Sequence, residues 1–348
     1  MAEQPAEGGP GTSVELLGGA RMPTLGLGLW KSKPEEAAAA VRAALECGVR
    51  LLDGAASYNN EAGVGEGLRT AIADGVVRRE DVFVVSKLFN THHAWEGDAS
   101  RVQAAIDKTL RDLQLEYIDL YLMHWPFGFE QMELGKIGGL RKKDGTPNPK
   151  LIMKVEFLDT YAEMLKLVAA GKVRAVGVCN FTIPQLEALL ERFPDSPPCV
   201  NQVELHPYLV QAELTGFCQA KGIHMMAYSP LGSGDSYSGR SFPAKGSKPF
   251  QNPNAGTTLL ENAVVAEVAA KLEKSPAQVL IRWSLQHGFI CIPKSARAER
   301  IRENNDVFGW SIAAEDMARL DALDCEFRYG IGYQKGHYDC PNSPWSRV

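Results

Sequence analysis

With 348 residues, 45% of them hydrophobic and 23% charged, the chain has the composition of one large folded domain or two medium ones. A net charge of -5 and a pI near 5.9 argue against nucleic acid or an anionic membrane surface as its main partner. No run approaches about 18 apolar residues, so no transmembrane helix is expected. Seven cysteines without a Cys-x-x-Cys pair exclude zinc-ligand spacing and fit the reduced thiols of a cytoplasmic protein.

Residues 1–12 are acidic and rich in Pro and Gly, which predicts a disordered tail rather than a signal peptide. Val14 to Pro23, with Gly18-Gly19 at its centre, reads as a hairpin. An alternation of short apolar runs and amphipathic helices follows. Strands are predicted at Leu25–Trp30, Leu51–Ala55, Val82–Lys87, Tyr117–His124, Val173–Val178, Val200–Leu205, His224–Tyr228 and Phe289–Pro293. Between and after them, helices are predicted at Pro34–Cys47, Glu61–Ala73, Arg101–Leu113, Val155–Ala170, Ile183–Phe193, Gln211–Ala220, Ala263–Leu272, Ala277–Gln286 and Ala298–Asn304, with an extra one around Ala314–Leu323. Two long loops, 127–150 and 232–258, interrupt the series. Cys47, Cys179, Cys199, Cys218 and Cys291 fall in apolar runs and are expected to be buried. His92-His93 lacks a second ligand pair and is expected in a surface loop, so no metal site is predicted.

Eight apolar strands, each followed by helix, imply an all-parallel sheet covered on its outer face. The fold class is therefore α/β, a (β/α)8 TIM barrel with an N-terminal β-hairpin, two long loops and a C-terminal tail. One barrel domain over 13–325 is expected, followed by a tail over 326–348 that shapes a substrate pocket. Gly26-x-Gly28 and Gly63-x-Gly65-x-Gly67 lack the position and spacing of a dinucleotide-binding turn and read as packing glycines.

In such a barrel the chemistry sits where strands end. Those ends carry Trp30, Asp53, Tyr58, Lys87, His124, Trp125, Cys179, Asn180, Gln202, Tyr228, Ser229, Lys294 and Ser295. Each alone has an ordinary explanation as a cap, a solvated charge or a structural histidine; their coincidence at matching strand ends points to a site. A free phenol, with a pKa of about 10, is a weak acid at neutral pH. A neighbouring ammonium stabilises its phenolate, and a carboxylate keeps that ammonium charged. Tyr58, Lys87 and Asp53 fit that relay, with His124 orienting a carbonyl or sharing the proton transfer. A proton donor without a nucleophile or metal suggests carbonyl reduction by hydride from a bound cofactor. Lys294, Arg297 and Arg300 cluster at a helix start in an otherwise acidic chain, as a phosphate clamp would.

Ordered motifs carry a resemblance to a known family. They are Gly26-Leu27-Gly28-x-Trp30, Leu52-Asp53 to Tyr58-x-Asn60-Glu61, Val85-Ser86-Lys87-Leu88 and Tyr117 to Pro126. Gly177-Val178-Cys179-Asn180-Phe181, Asn201-Gln202-Val203-Glu204-x-His206-Pro207, Ala227 to Gly232, and Ile292-Pro293-Lys294-Ser295 to Arg300 and Asn304 continue the series. Over about Met22 to Phe308 the chain resembles the aldo-keto reductases, especially the aldose, aldehyde and xylose reductase branch. The resemblance implies a catalytic tetrad of Asp53, Tyr58, Lys87 and His124, with Tyr58 as the acid. It implies that Asn180 and Gln202 bind a nicotinamide carboxamide and that Tyr228 stacks on its ring. Ser229, Leu231 and Ser233 would line the pyrophosphate. Lys294, Ser295 and Arg300 would hold the 2'-phosphate of NADPH, with Arg297 as reinforcement and Glu303 and Asn304 at the adenine. Trp30, Trp125 and Phe127 would wall an aromatic substrate pocket.

Three positions depart from the family pattern. Cys179 stands where a serine is common, weakening one carboxamide contact; Gly54 replaces a commoner Thr or Cys; Ser57 replaces an apolar residue. The expected partner is a small carbonyl compound and the expected state a monomer. A sugar reductase of the xylose type and a catalytically silent cofactor-binding barrel are the alternatives.

Overall fold

A computed structural model describes residues 13–94, 98, 100–128, 157–233 and 258–329. The hairpin pairs β1 (Ser13–Glu15) with β2 (Arg21–Pro23), antiparallel. Eight parallel strands follow: β3 (Leu27–Gly28), β4 (Leu51–Asp53), β5 (Phe83–Leu88), β6 (Ile118–Met123), β7 (Val173–Cys179), β8 (Val200–Glu204), β9 (His224–Tyr228) and β10 (Ile290–Cys291). They pair in sequence order from β3 to β10. Parallel bridges Leu25 to Cys291 and Gly28 to Lys294 join the first strand segment to the last, so the sheet closes on itself. Gly28 is needed at that seam, because a Cβ there would stand 2.8 Å from the carbonyl oxygen of Ile292.

The described residues also form ten helices: α1 (Pro34–Glu46), α2 (Glu61–Ala73), α3 (Ser100–Leu113), α4 (Phe157–Ala169), α5 (Ile183–Arg192), α6 (Ala212–Ala220), α7 (Ala263–Leu272), α8 (Pro276–Gln286), α9 (Ala298–Asn305) and α10 (Ala314–Asp321). The expected elements are all present, with bounds moved by a few residues. The largest change is at the seam: Leu25–Trp30 and Phe289–Pro293 shorten to two-residue strands extended by bridges. Most of the two long loops (129–150 and 234–257), the tail beyond Tyr329 and the 1–12 segment lie outside the described residues. Among the described residues no helix is long and apolar enough to cross a membrane.

Alternation along each strand sorts the core into two layers. Leu52, Val84, Tyr121 and Val176 point outward, into the layer shared with the helices. Leu51, Phe83, Val85, Leu120, Leu122, Ala175, Val200, Met226 and Ile290 point into the barrel, where Leu16 and Met22 of the hairpin join them. The hairpin therefore stoppers the end where strands begin, leaving the other end as the mouth. Outside, α2 lies close between its neighbours because of its glycines: a Cβ on Gly63 or Gly65 would overlap the backbone of Pro34 or Leu113. Their reading as packing residues agrees with this geometry.

Cys179, Cys199, Cys218 and Cys291 are buried; Cys47 is only partly so. Burial raises the thiols of Cys199, Cys218 and Cys291 to about 12, which removes them from thiolate chemistry at neutral pH.

Candidate active site

The parity that fills the barrel also delivers the polar side chains to its mouth. Asp53 follows Leu51 by two residues, Lys87 follows Val85, and His124 follows Leu122, so each continues an inward-facing row. Register then staggers them. Asp53 pairs with Val85 and Lys87 with Leu122, which sets each successive group one step higher around the wall. Gly54 N–H donates to Val85 O at 2.9 Å, and a 3-10 turn, Ala56–Tyr58, carries Tyr58 over the rim. Asn59 ends that turn in the left-handed region. Asn60 pins it by donating to Leu29 O and Ser32 O, each at 2.9 Å.

Lys87 is the centre of the arrangement. Its side chain is fully enclosed, and Nζ donates to Asp53 Oδ1 at 2.6 Å, Gly54 O at 2.9 Å and Tyr58 Oη at 3.2 Å. Three donors thus meet three acceptors, the condition under which a buried ammonium is tolerated. The second Asp53 oxygen accepts from Gln202 Nε2 at 2.7 Å. Gln202 lies on β8, across the barrel, and is an inward continuation from Val200.

His124 is buried, with its ring edge-on to Tyr58 at 6.0 Å between centroids and edge-on to Phe89 at 6.1 Å. Burial, helped by the Lys87 charge and by His93, holds its imidazole well below the ordinary histidine range. The ring is neutral at physiological pH, so it can donate one N–H but has no spare acidic proton.

The residues expected around a nicotinamide are knitted to the same centre. Asn180, at φ 65° just beyond β7, donates from Nδ2 to His124 O at 3.1 Å. Its Oδ1 accepts from Tyr228 Oη at 2.9 Å. That donation needs a protonated phenol, and burial raises Tyr228 well above the usual tyrosine value. Cys179 Sγ accepts from Asn180 Nδ2 at 3.2 Å and sits 3.8 Å from Gln202 Oε1. It faces the barrel interior and is itself part of the floor.

Ser229 and Ser233 hydroxyls are 3.0 Å apart beyond β9, flanking the partly buried Leu231 and Gly232 at φ 66°. Lys294, Arg297 and Arg300 are exposed around the start of α9, while Ser295 is buried and accepts from Arg297 N–H at 3.1 Å. Arg297 caps the helix by position without a side-chain bond to it and stands 3.5 Å from Glu299. Exposed cations at a helix start with free amides suit an anion, so the residues present fit the phosphate end of a dinucleotide. Glu303 is exposed; Asn304 is buried beside a hollow bounded by Leu25, Gly26, Pro293 and Ile301.

The aromatic positions separate. Trp30 is exposed at the mouth, with the Lys31 ammonium over its ring. Trp125 and Phe127 are buried against each other at 5.5 Å. His92 and His93 correct the surface expectation: both are buried. The turn that carries them is covered, as Asn90 donates to Phe127 O at 2.7 Å, Arg101 to Thr91 O at 3.0 Å and Ala94 N–H to Thr160 Oγ1 at 3.2 Å. Desolvation lowers His92 to about 4 and His93 to about 3. Among the described residues no group of side chains could hold a metal ion.

Sequence reading missed one further centre. Glu204 Oε1 accepts from Tyr329 N–H at 2.6 Å and contacts His206 Nε2 at 2.9 Å, all in buried surroundings. Tyr329 Oη also accepts from Leu259 N–H at 3.2 Å. Glu204 and His206 stand in a motif noted above, but nothing in the sequence joins them to Tyr329.

The closed parallel barrel with a polar cluster at its strand ends has the architecture of an α/β-barrel enzyme, and comparison with known proteins gives the family. The aldo/keto reductase family profile matches residues 17–324, and the chain belongs to that family. The pig protein called aldo-keto reductase family 1 member A1 is 44% identical over 317 residues, covering 91% of this chain and 90% of the relative. Its human counterpart is 43% identical over the same shares. Among solved structures, aldose reductase from Schistosoma japonicum superposes with a TM-score of 0.80 at 32% identity, covering 97% of this chain and 99% of that one.

Proposed function

We propose that the chain reduces aldehydes and ketones to alcohols using NADPH, with Tyr58 as the proton donor. The observation that carries this is the buried Lys87 ammonium bonded at once to Asp53 and to the Tyr58 hydroxyl. Bound NADPH would supply the hydride. Asn180, Gln202 and Tyr228 would hold the nicotinamide end, Ser229, Leu231 and Ser233 the pyrophosphate, and Lys294, Ser295, Arg297 and Arg300 the 2'-phosphate. Glu303 and Asn304 would meet the adenine.

The proton chemistry belongs to the chain. As negative charge develops on the carbonyl oxygen, Tyr58 Oη gives up its proton. Lys87 stabilises the phenolate left behind, and Asp53 keeps Lys87 charged and fixed. The neutral His124 ring directs the carbonyl by hydrogen bonding, which leaves the acid role to Tyr58. The exposed Trp30 at the mouth, backed by the buried Trp125 and Phe127, favours apolar or aromatic carbonyl compounds over free sugars.

NADPH consumption with a panel of aromatic aldehydes and pentoses tests the assignment. Tyr58→Phe should remove nearly all turnover while leaving the circular dichroism spectrum unchanged. A variant that retains its rate refutes Tyr58 as the acid, and a preference for pentoses moves the chain to the sugar-reductase reading.

A further inference from the structure

Ser57 is the residue before the proposed acid, and its hydroxyl does not point idly into solvent. Oγ lies 3.4 Å from Nδ1 of His124, and this is the hydrogen bond the structure gives the Ser57 side chain. Both partners stand on fixed backbone. The Ser57 turn is closed by Tyr58 N–H to Ala55 O at 3.0 Å, and the following Asn60 is tied to the β3 exit. The backbone of His124 is held from both sides, its N–H donating to Leu88 O at 3.1 Å and its carbonyl accepting from Asn180 at 3.1 Å.

The His124 ring is neutral, so one nitrogen carries a proton and the other a lone pair. The ring's only hydrogen bond among the described residues is the one at Nδ1. Nε2 makes no hydrogen bond among the described residues, and His124, just past the end of β6 on the mouth side of the barrel, keeps 8% of its surface exposed. A ring with Nδ1–H would present a lone pair there and repel a carbonyl oxygen. A ring with Nε2–H would present a donor. The Ser57 hydroxyl can answer either form, accepting from Nδ1–H or donating to a bare Nδ1, and only the second leaves a donor at the mouth.

We propose that Ser57 is a positioning residue that donates its hydroxyl proton to His124 Nδ1 and holds the ring in the Nε2–H tautomer facing the substrate carbonyl. This rests on the carbonyl-reduction reading for its effect on turnover, but the tautomer can be measured without substrate. In that form the Nε2–H and the Tyr58 hydroxyl approach one oxygen from two directions, and Ser57 sets the donor sense of the first.

Imidazole nitrogen-15 NMR of the full chain, with His124 assigned by comparison with His124→Gln, reads which nitrogen is protonated. At neutral pH Nδ1 should be bare and Nε2 protonated in the natural sequence. Ser57→Ala should turn the ring into a mixture of tautomers. It should also lower kcat for aldehyde reduction about fivefold, the factor that one lost neutral hydrogen bond produces, with the Kd for NADPH unchanged. Ser57→Thr keeps the hydroxyl and should preserve both the tautomer and most of the rate. A protonated Nδ1 in the natural sequence, or an unmoved tautomer in Ser57→Ala, overturns the proposal. A tautomer that responds as expected in a chain that reduces no carbonyl supports the Ser57–His124 coupling and refutes the reductase reading instead.

Discussion

Replacing Asp53 by Asn is a severe test of the Lys87 centre, because the change is isosteric and removes only charge and one acceptor. Asp53 accepts from Lys87 on one oxygen and from Gln202 on the other. An amide has one oxygen and one NH2, so either orientation sets donor against donor, at Lys87 or at Gln202. The ammonium keeps Gly54 O and Tyr58 as partners but loses its counter-charge in a fully enclosed position. Breaking a buried pair on one side costs about 3–5 kcal/mol. Asp53→Asn should therefore lose about 3–5 kcal/mol at pH 7. Urea unfolding followed by circular dichroism measures the loss. The double variant Asp53→Asn with Lys87→Met should regain stability over the single one, since no unpaired charge remains, yet stay inactive. A single variant losing less than about 1 kcal/mol, or a double variant no more stable than the single, would show that the ion pair is not the organising contact.

Three other outcomes follow from the geometry. Arg300→Ala should weaken NADPH binding about 10- to 100-fold, as expected for a lost charge-assisted hydrogen bond, and leave NADH nearly unchanged; equal losses by fluorescence titration would refute the 2'-phosphate assignment. His92 and His93 bind their protons at about 4 and about 3 when folded, against about 6.5 when unfolded. The unfolded chain thus takes up protons first as pH falls: stability is full above about 6.5 and declines towards pH 4, by up to about 1.4 kcal/mol per unit for each histidine. His93→Phe should flatten the Tm profile over that window, and an unchanged profile would refute the attribution. Gly63→Ala should cost about 1–3 kcal/mol by forcing α2 away from the Pro34 backbone. Gly216→Ala, in α6 with nothing within 4 Å, should stabilise by about 0.5–1 kcal/mol; the reverse order in chemical denaturation would refute the packing account.

Much of the site can be read along the chain because strand parity is local. Two residues beyond an inward Leu51, Val85 or Leu122 stands an inward polar group, so Asp53, Lys87 and His124 are recognisable as neighbours before any coordinates exist. What escapes sequence reading depends on closure. Gln202 reaches Asp53 across 149 residues, and only the circular pairing of strands sets them face to face. Ser57 finds His124 through the shape of one 3-10 turn, which no periodicity specifies. The paired histidines looked like a polar loop because their covering groups, Phe127, Arg101 and Thr160, come from three later segments.

The seam between β3 and β10 has a consequence for how the protein is made. Leu25 leaves the ribosome long before its partner Cys291, which is among the last barrel residues synthesised. At roughly 5–20 residues per second the open strand edge waits about 13–50 s for its mate. Until then β3 offers unpaired amides to any passing strand. The residues around Gly26 and Gly28 are correspondingly a place where nascent chains would need chaperone protection, and slowing translation ahead of β10 should raise aggregation more than slowing it afterwards.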